Sequence, residues 1–527
     1  QLVKRIHGID VGKRSSIYVY FFFHGGAFVK EGGRVGLITS NSWLDVDYGK
    51  YLQEYFLKNF EIIAIIESKV ERWFEDADII TAITILEKCS NKKERDENLV
   101  KFVQLKVPLR ELIPEPNTDD EEEKERLRWE TIDKLVKLIE ETNEYYEDDK
   151  IRIFPKKQAE LWDEGYDDEK EKYIGSKWGK YIRAPEIFFK IIRVGHDEEL
   201  LVPLREVARV RYGIKTGANE FFYLTPEKAY SHGIEKEFLT PAVRSPREFQ
   251  SIRITKDKIK WYLLTVHKDY NELQGTNVLK YLKYGEELGI HKRPSCRTRR
   301  RWYDLGVREP APILLIRTVF ERHIAFLNEA QAYADEDFIE VIPFDDEYTK
   351  ELCAIMNSTF FILMREIYGR LVLGQGALKT EKMDIPQIPI IDPRRLNDEK
   401  RCKLRSILDQ MSKRTIGSIF EELGAKTPEE FTLNKVKDDR RVLDKIIIIE
   451  ILGLSEKEMV EVYKAVLDLV SSRIKRATSS SKRKKKNEVN PTAIAESIVR
   501  RINFNKRFPE DYIMDYKGCL LYTSDAA

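Results

Sequence analysis

The sequence predicts an α/β chain: the closing part of an open, doubly wound sheet, followed by an α+β unit and then a helical tail. Three observations carry this expectation. Apolar runs of strand length, Val35-Gly-Leu-Ile38, Glu61-Ile-Ile-Ala-Ile-Ile66 and Ile79 to Leu86, alternate with a segment whose residues Tyr51, Leu52, Tyr55, Phe56 and Phe60 fall near helical spacing. Prolines at Pro386, Pro389 and Pro393 then break the chain. Beyond them Leu443, Ile446, Ile447, Ile451 and Leu454 can share one helix face, with Glu450 as the polar exception.

Taken in order, residues 17 to 30 read as a helix, and Gly32-Gly33 as its C-cap with a left-handed residue. A phosphate-cradling turn would follow a strand and open a helix, whereas this pair follows a helix and precedes a strand. Thr39-Ser-Asn-Ser-Trp43 falls at the carboxyl end of a parallel strand, the edge where such sheets place ligands. Asn41 can contact a ligand there or cap the following helix, and Asp45 can cap it equally well. Composition changes after residue 106. A proline-containing stretch, Ile113 to Asn117, leads through the acidic run Asp119-Asp-Glu-Glu-Glu123 into a charged helix, Glu125 to Tyr145, which reads as a solvated linker. Tyr173 to Pro185 mixes aromatics with Gly and Lys and fits either a packed hinge or a nucleic-acid contact.

Bulk properties bound the function. With ~100–200 residues to a domain, a chain of 527 residues is expected to hold about three. The five cysteines are scattered without a Cys-x-x-Cys pair, so neither a disulfide framework nor a metal site is expected. Apolar runs such as Ile446 to Ile449 fall far short of the ~18 residues a membrane span needs, and the amino terminus has no signal-peptide layout. A cytoplasmic chain without a membrane partner is expected. Net charge is only +1, yet the charges are segregated, with Arg297, Arg299, Arg300 and Arg301 clustered far from the acidic run, so a basic groove is possible on a neutral protein. Searches for a Gly-x-Ser-x-Gly elbow, a His-Glu-x-x-His helix, a Walker loop or a nuclease carboxylate cluster end without a candidate.

Glu31-Gly-Gly-Arg-Val-Gly-Leu-Ile-Thr-Ser-Asn-Ser-Trp-Leu44 and Trp73-Phe-Glu-Asp-Ala-Asp-Ile-Ile-Thr-Ala-Ile-Thr-Ile-Leu-Glu87 together resemble the late catalytic domain of type IIG-like N6-adenine DNA methyltransferases of restriction-modification systems. Leu201 to Leu224 and Leu373 to Pro389 resemble the opening and closing of that family's target recognition domain, so the resemblance covers most of residues 10 to 395. It implies the second half of a Rossmann-like methyltransferase sheet over residues 1–106, with its last strand inserted antiparallel. A charged connector at 107–195, a recognition domain at 196–395 and a helical tail at 396–516 would follow. In this family S-adenosylmethionine donates the methyl group, and an Asn-Pro-Pro-Tyr loop accepts hydrogen bonds from the target amine. Neither that loop nor the Gly-rich donor-binding turn is present, so no catalytic or cofactor-binding residue is assigned and the chain reads as a fragment. Double-stranded DNA is the implied partner, with a nuclease attached or separate. A non-catalytic specificity subunit recruiting a separate methyltransferase would share the recognition half but has no reason to carry the sheet segments at 34 to 88.

The candidate residues follow from base extrusion and DNA docking. An enzyme that modifies a base amine swings the nucleotide out of the duplex and holds its ring on an aromatic face. The resemblance places Phe74 in that role; the alternative is that Trp73 and Phe74 cap the sheet core. Gly213, Lys215, Thr216, Gly217 and Asn219 form a loop whose backbone N–H groups can approach a phosphate beside a cation, although a plain tight turn needs glycines too. Gly374, Gln375 and Gly376 form a second loop of the same kind. Arg297, Arg299, Arg300 and Trp302 interleave cations with an aromatic and fit DNA contact or a solvated surface. Thr478 to Lys486 is a basic low-complexity stretch expected to be disordered, and residues 517–527 resemble translated adapter read-through, foreign to the protein.

Overall fold

The computed structural model describes residues 4–5, 11–12, 15–74, 79–372 and 376–479; the basic stretch from 480 and the terminal residues 517–527 lie outside them. By internal contacts the chain divides after Ala477, and the elements below belong to the first unit. Helix α1 (Ile17–Ala27), strand β1 (Arg34–Ser40), helix α2 (Gly49–Asn59), strands β2 (Phe60–Ser68), β3 (Thr81–Lys88) and β4 (Leu99–Leu105) come first. Strands β5 (Tyr146–Glu147) and β6 (Ile151–Lys157) follow, and the six make one sheet in the order β1-β3-β2-β4-β6-β5. β3 runs antiparallel to both β1 and β2, and β2 runs parallel to β4. The carboxyl ends of β1, β2 and β4 therefore share one edge.

The three apolar runs become the strands expected of them because both sheet faces are covered. Phe22 and Phe23 of α1, and Leu52, Tyr55 and Phe56 of α2, bury one face together with Trp43, Phe60, Ile62 and Trp178. Phe22 meets Phe56 edge to face at 5.0 Å, and Trp43 meets Trp178 likewise at 5.8 Å, geometry that aromatic quadrupoles favour. On the other face Ala64, Val103, Leu105, Ile151 and Ile153 receive Ile139, with Leu135 and Leu138 beside it. These three side chains belong to the charged helix, which spans Glu121–Glu141. Its start lies upstream of the expected Glu125 because Asp120 caps it, accepting from the Glu122 and Glu123 amides, and three acids in the first turn complement the helix dipole. The helix docks on the sheet through its last turns while most of its residues stay exposed, as a solvated helix would, and residues 146–157 return to the same sheet.

Gly32 and Gly33 are not the C-cap of α1, which ends at Ala27. Gly32, at φ +72°, lies in the turn that feeds β1 and donates its N–H to the Lys88 carbonyl at 2.9 Å, so the pair closes the β1–β3 edge.

The second half is built on two four-stranded sheets. Strands Ala208–Tyr212, Phe338–Pro343, Ile313–Ile316 and Ala325–Leu327 form one, and their core continues without a break through Leu352, Phe360 and Leu363 into the tail residues Leu404, Leu443, Ile447 and Val462. The expected tail face, Leu443 to Leu454, is buried as read, with a π-helical stretch at Lys445–Ile451, while Glu450 reaches out to Lys403 at 2.9 Å. A second sheet, built on Tyr223–Leu224, Trp261–Leu264, Leu239–Val243 and Tyr333–Ala334, has its own core around Phe221, Phe222, Tyr281 and Leu282. A hairpin, Arg370–Val372 with Ala377–Lys379, pairs with Thr318–Val319. Among the described residues no helix is long and apolar enough to cross a membrane.

Candidate nucleic-acid interface and sheet edge

Beyond β1 the backbone closes a single 3-10 turn, Asn41–Leu44, capped by Ser40, whose Oγ accepts from the Ser42 amide at 3.3 Å. Neither Asn41 nor Asp45 caps a helix. Asn41 is buried and donates through Nδ2 to Glu67 Oε2 at 2.9 Å, tying the carboxyl end of β1 to that of β2. Asp45 pairs with Arg183, which comes from the short helix Gly179–Arg183 in the aromatic stretch of the connector. A Cβ on Gly179 would fall 1.8 Å from Arg183 Nη2, so this pair depends on glycine there. One residue past β2, Lys69 meets Asp468 of the C-terminal helix Glu456–Ser479 at 2.7 Å.

Trp73 and Phe74 differ in burial. Trp73 packs on the cluster of Ala64, Val103 and Leu105, as a core cap does. Phe74 is 46% exposed at the same edge.

The two loops singled out as DNA contacts, some eighty residues apart in sequence, lie against each other. Gly217, at φ +79°, presses on the turn after Pro294: a Cβ there would come within 2.6 Å of Ser295 Cβ. At Gly213 a Cβ would fall 2.0 Å from the Asp335 carbonyl oxygen. Both glycines are thus required by packing. Thr216 is buried, with Oγ1 accepting from the Ala218 amide at 3.1 Å and bonded to Asn219, whose Nδ2 donates to Asp335 Oδ2 at 3.1 Å. Arg299 points inward as well, donating through Nη2 to the Lys215 and Thr216 carbonyls at 2.8 Å each and lying over the Phe222 ring. Trp302 is half-buried against Phe221, its indole N–H between the Tyr270 hydroxyl and Glu286 at 3.2 Å. Thr216, Asn219, Arg299 and Trp302 thus each have partners within the protein; Thr216 is buried and the other three are half-buried. Lys215, Arg297 and Arg300 remain exposed; Lys215 has only Glu336, at 3.9 Å, and neither of the two arginines makes a side-chain ion pair among the described residues.

At the third candidate loop, Gly374 and Gln375 lie outside the described residues. Gly376 has φ +67° and its carbonyl accepts from Arg473. Arg370 meets Asp384 at 2.9 Å, and Lys177 meets the same carboxylate at 2.7 Å and the Tyr368 carbonyl at 2.8 Å. The hairpin base is thereby fastened to the connector. Lys177, Arg183, Asp384 and Arg473 were not singled out from sequence, because isolated charges in a chain so rich in them carry no local signal. Glu61, Cys89 and Glu94 offer ligand atoms within 4.8 Å of one another, and burial pushes both the Cys89 thiol and the Glu61 carboxyl up.

Residues 175–424 match the family described as Type II methyltransferase M.Eco57I, C-terminal domain, and residues 7–74 match the family described as Eco57I restriction-modification methylase. It is 25% identical over 314 residues to the Type II methyltransferase M.AccI of Acinetobacter calcoaceticus, across 58% of this chain and 48% of that protein. The chain thus spans about half the length of the curated relative it matches. Similar solved structures include the type IIG restriction endonuclease BpuSI, at 15% identity and a TM-score of 0.41, covering 91% of this chain and 52% of that one. Another is the type IIL restriction-modification enzyme MmeI in complex with DNA, at 11% identity and a TM-score of 0.44, covering 89% and 54%.

Proposed function

We propose that this chain is the closing part of the catalytic domain, with the target recognition domain, of a site-specific DNA methyltransferase that modifies adenine N6 in the cytoplasm. The observation that carries the reading is the order of the two family matches along one chain, methylase over α1 to β2 and C-terminal domain over the recognition unit, with the Asp45–Arg183 pair joining them. β3 lying antiparallel between β1 and β2 is consistent with the second half of a Rossmann-like methyltransferase sheet.

On this reading the target adenine leaves the duplex and stacks on Phe74, at the edge where Asn41, Glu67, Asp45 and Arg183 hold the strand ends in place. Lys215, Arg297 and Arg300 grip phosphates on the recognition unit, and the hairpin at Gly376 contacts the same duplex. S-adenosylmethionine supplies the methyl group in the complete enzyme. No residue of this chain matches its binding turn, and no step is assigned through it. β1 is an edge strand among the described residues, and Ile17, Phe21 and Phe28 of the neighbouring helix region and Ile38 of the strand are exposed. Such an apolar edge supports a sheet that continues into protein not contained in this sequence. A nuclease attached to the enzyme or acting separately fits the same system.

The test is methyl transfer from labelled S-adenosylmethionine to duplex DNA. The purified chain is expected to transfer none, and the complete reading frame that contains it is expected to be active. Transfer by the chain alone would overturn the proposal that catalysis needs residues beyond it.

A further inference from the structure

The C-terminal helix Glu456–Ser479 touches both the sheet edge and the recognition unit. Asp468 holds Lys69 on one side. Five residues on, about 140° around the helix, Arg473 enters the recognition unit, and its guanidinium is buried. Nε and Nη2 meet the two Glu366 oxygens at 3.1 and 2.7 Å, Nη2 also donates to the Phe320 carbonyl at 2.6 Å, and Nη1 donates to the Gly376 carbonyl. His323 Nε2 lies 3.1 Å from Glu366 Oε1. Burial alone would raise the Glu366 carboxyl, yet Arg473 and His323 bring it down to about 2. A second buried guanidinium, Arg365, holds Thr380 Oγ1 at 2.8 Å and the Ile316 carbonyl. The second hairpin strand, Ala377–Lys379, thus has a buried arginine at each end. A cavity of about 50 Å³ lined in part by Lys69, Gln104, Arg183, Glu366, Asp468 and Arg473 joins this cluster to the sheet edge.

Burying charges costs more than a lone ion pair returns, and a buried arginine bonded at once to a carboxylate and two backbone carbonyls is best accounted for by the geometry it fixes. What this one fixes is the left-handed turn at Gly376, from which the strand departs. We propose that Arg473 is a positioning residue for DNA recognition: anchored by Asp468 at the sheet edge, it holds the hairpin at Gly376 in register with the edge that receives the target base. The inference rests on the reading of that hairpin as a DNA contact.

Arg473→Lys in the full chain tests it, since one ammonium cannot serve a carboxylate and two separated carbonyls as the planar fork does. Amide hydrogen exchange at residues 376–380 should quicken by about tenfold, with the β2–β4 amides unchanged. Affinity for a random-sequence 30-base-pair duplex should fall about threefold or more with the salt slope unaltered, because the cations that grip phosphate are all still in place. If Arg473→Lys loosens the whole chain, Asp468→Asn cuts the anchor at a partly exposed pair and must quicken exchange at 376–380 by itself. Wild-type exchange there in Asp468→Asn, or in a stably folded Arg473→Lys, overturns the positioning role. Faster exchange with unchanged duplex affinity instead overturns the hairpin's part in DNA binding, and the proposal falls with that reading.

Discussion

Arg299 spans 84 positions of sequence to donate through Nη2 to the Lys215 carbonyl, and through the same nitrogen to that of Thr216, both at 2.8 Å. The basic stretch around it is therefore divided between a cation bonded inward and the exposed cations Arg297 and Arg300. Charge-assisted bonds to backbone carbonyls contribute more than neutral ones, and cutting them strands the carbonyls in a partly buried loop.

Arginine variants should separate along this line. Arg299→Ala is expected to destabilise the chain by about 1–3 kcal/mol, seen in urea unfolding. Arg297→Ala with Arg300→Ala and Lys215→Ala should leave stability within about 0.5 kcal/mol and reduce the slope of log affinity against log salt by about 0.9 for each phosphate no longer neutralised. An unchanged slope in the triple variant removes this ridge from the interface.

Phe74→Ala should leave unfolding unchanged, since the ring is exposed and Trp73 fills the core position. In the complete enzyme, losing a stack of ~1–3 kcal/mol should cut target-base capture by one to two decades, roughly, while duplex affinity changes less. A 2-aminopurine fluorescence rise equal to wild type would take Phe74 out of the base pocket.

At the sheet edge, Asn41→Ala removes a donor from the fully buried Glu67 carboxylate. Leaving that oxygen short of a partner is expected to cost about 1–3 kcal/mol, whereas Asn41→Asp should cost more by placing two carboxyls together. Wild-type urea midpoints for both would show that the bond contributes nothing to the edge.

The recognition loop carries a pH signature through Asp335. Burial, with Asp337 and Glu336 adding to it, raises this carboxyl to about 6. The unfolded group titrates near ~3.9, so between those values the folded chain keeps a proton that the unfolded chain has released. Linkage then makes stability fall as pH rises through that window and stay lower above it, by about 1–3 kcal/mol for this group. Asp335→Asn should flatten the decline and raise stability at neutral pH, measured as urea midpoints at acidic and neutral pH. An equal slope in wild type and variant would contradict the assignment.

Much of the fold was legible because covered sheets write themselves as apolar runs: Val35 to Ile38 and Glu61 to Ile66 fall on strands, the Ile79 to Leu86 run does so from Thr81 onward, and the tail face from Leu443 to Leu454 is buried as its spacing predicts. Side-chain roles were less legible. Asn41 reads as a cap from sequence, but Ser40 one residue earlier does that work and frees Asn41 for Glu67. Thr216, Asn219 and Trp302 have the right chemistry for DNA, yet only the fold reveals that each already has an internal partner. Contacts such as Lys177 with Asp384 and Arg473 with Gly376 join segments about a hundred residues or more apart, which no local pattern encodes.

The central claim, an adenine-N6 methyltransferase whose target pocket lies at the β1–β2 edge, is tested most directly by nucleoside analysis of duplex DNA treated with the complete enzyme and S-adenosylmethionine. The account predicts N6-methyldeoxyadenosine within one short sequence, strongly reduced in Phe74→Ala. A methylated cytosine in its place, or a Phe74→Ala enzyme with wild-type yield at limiting time, would contradict it.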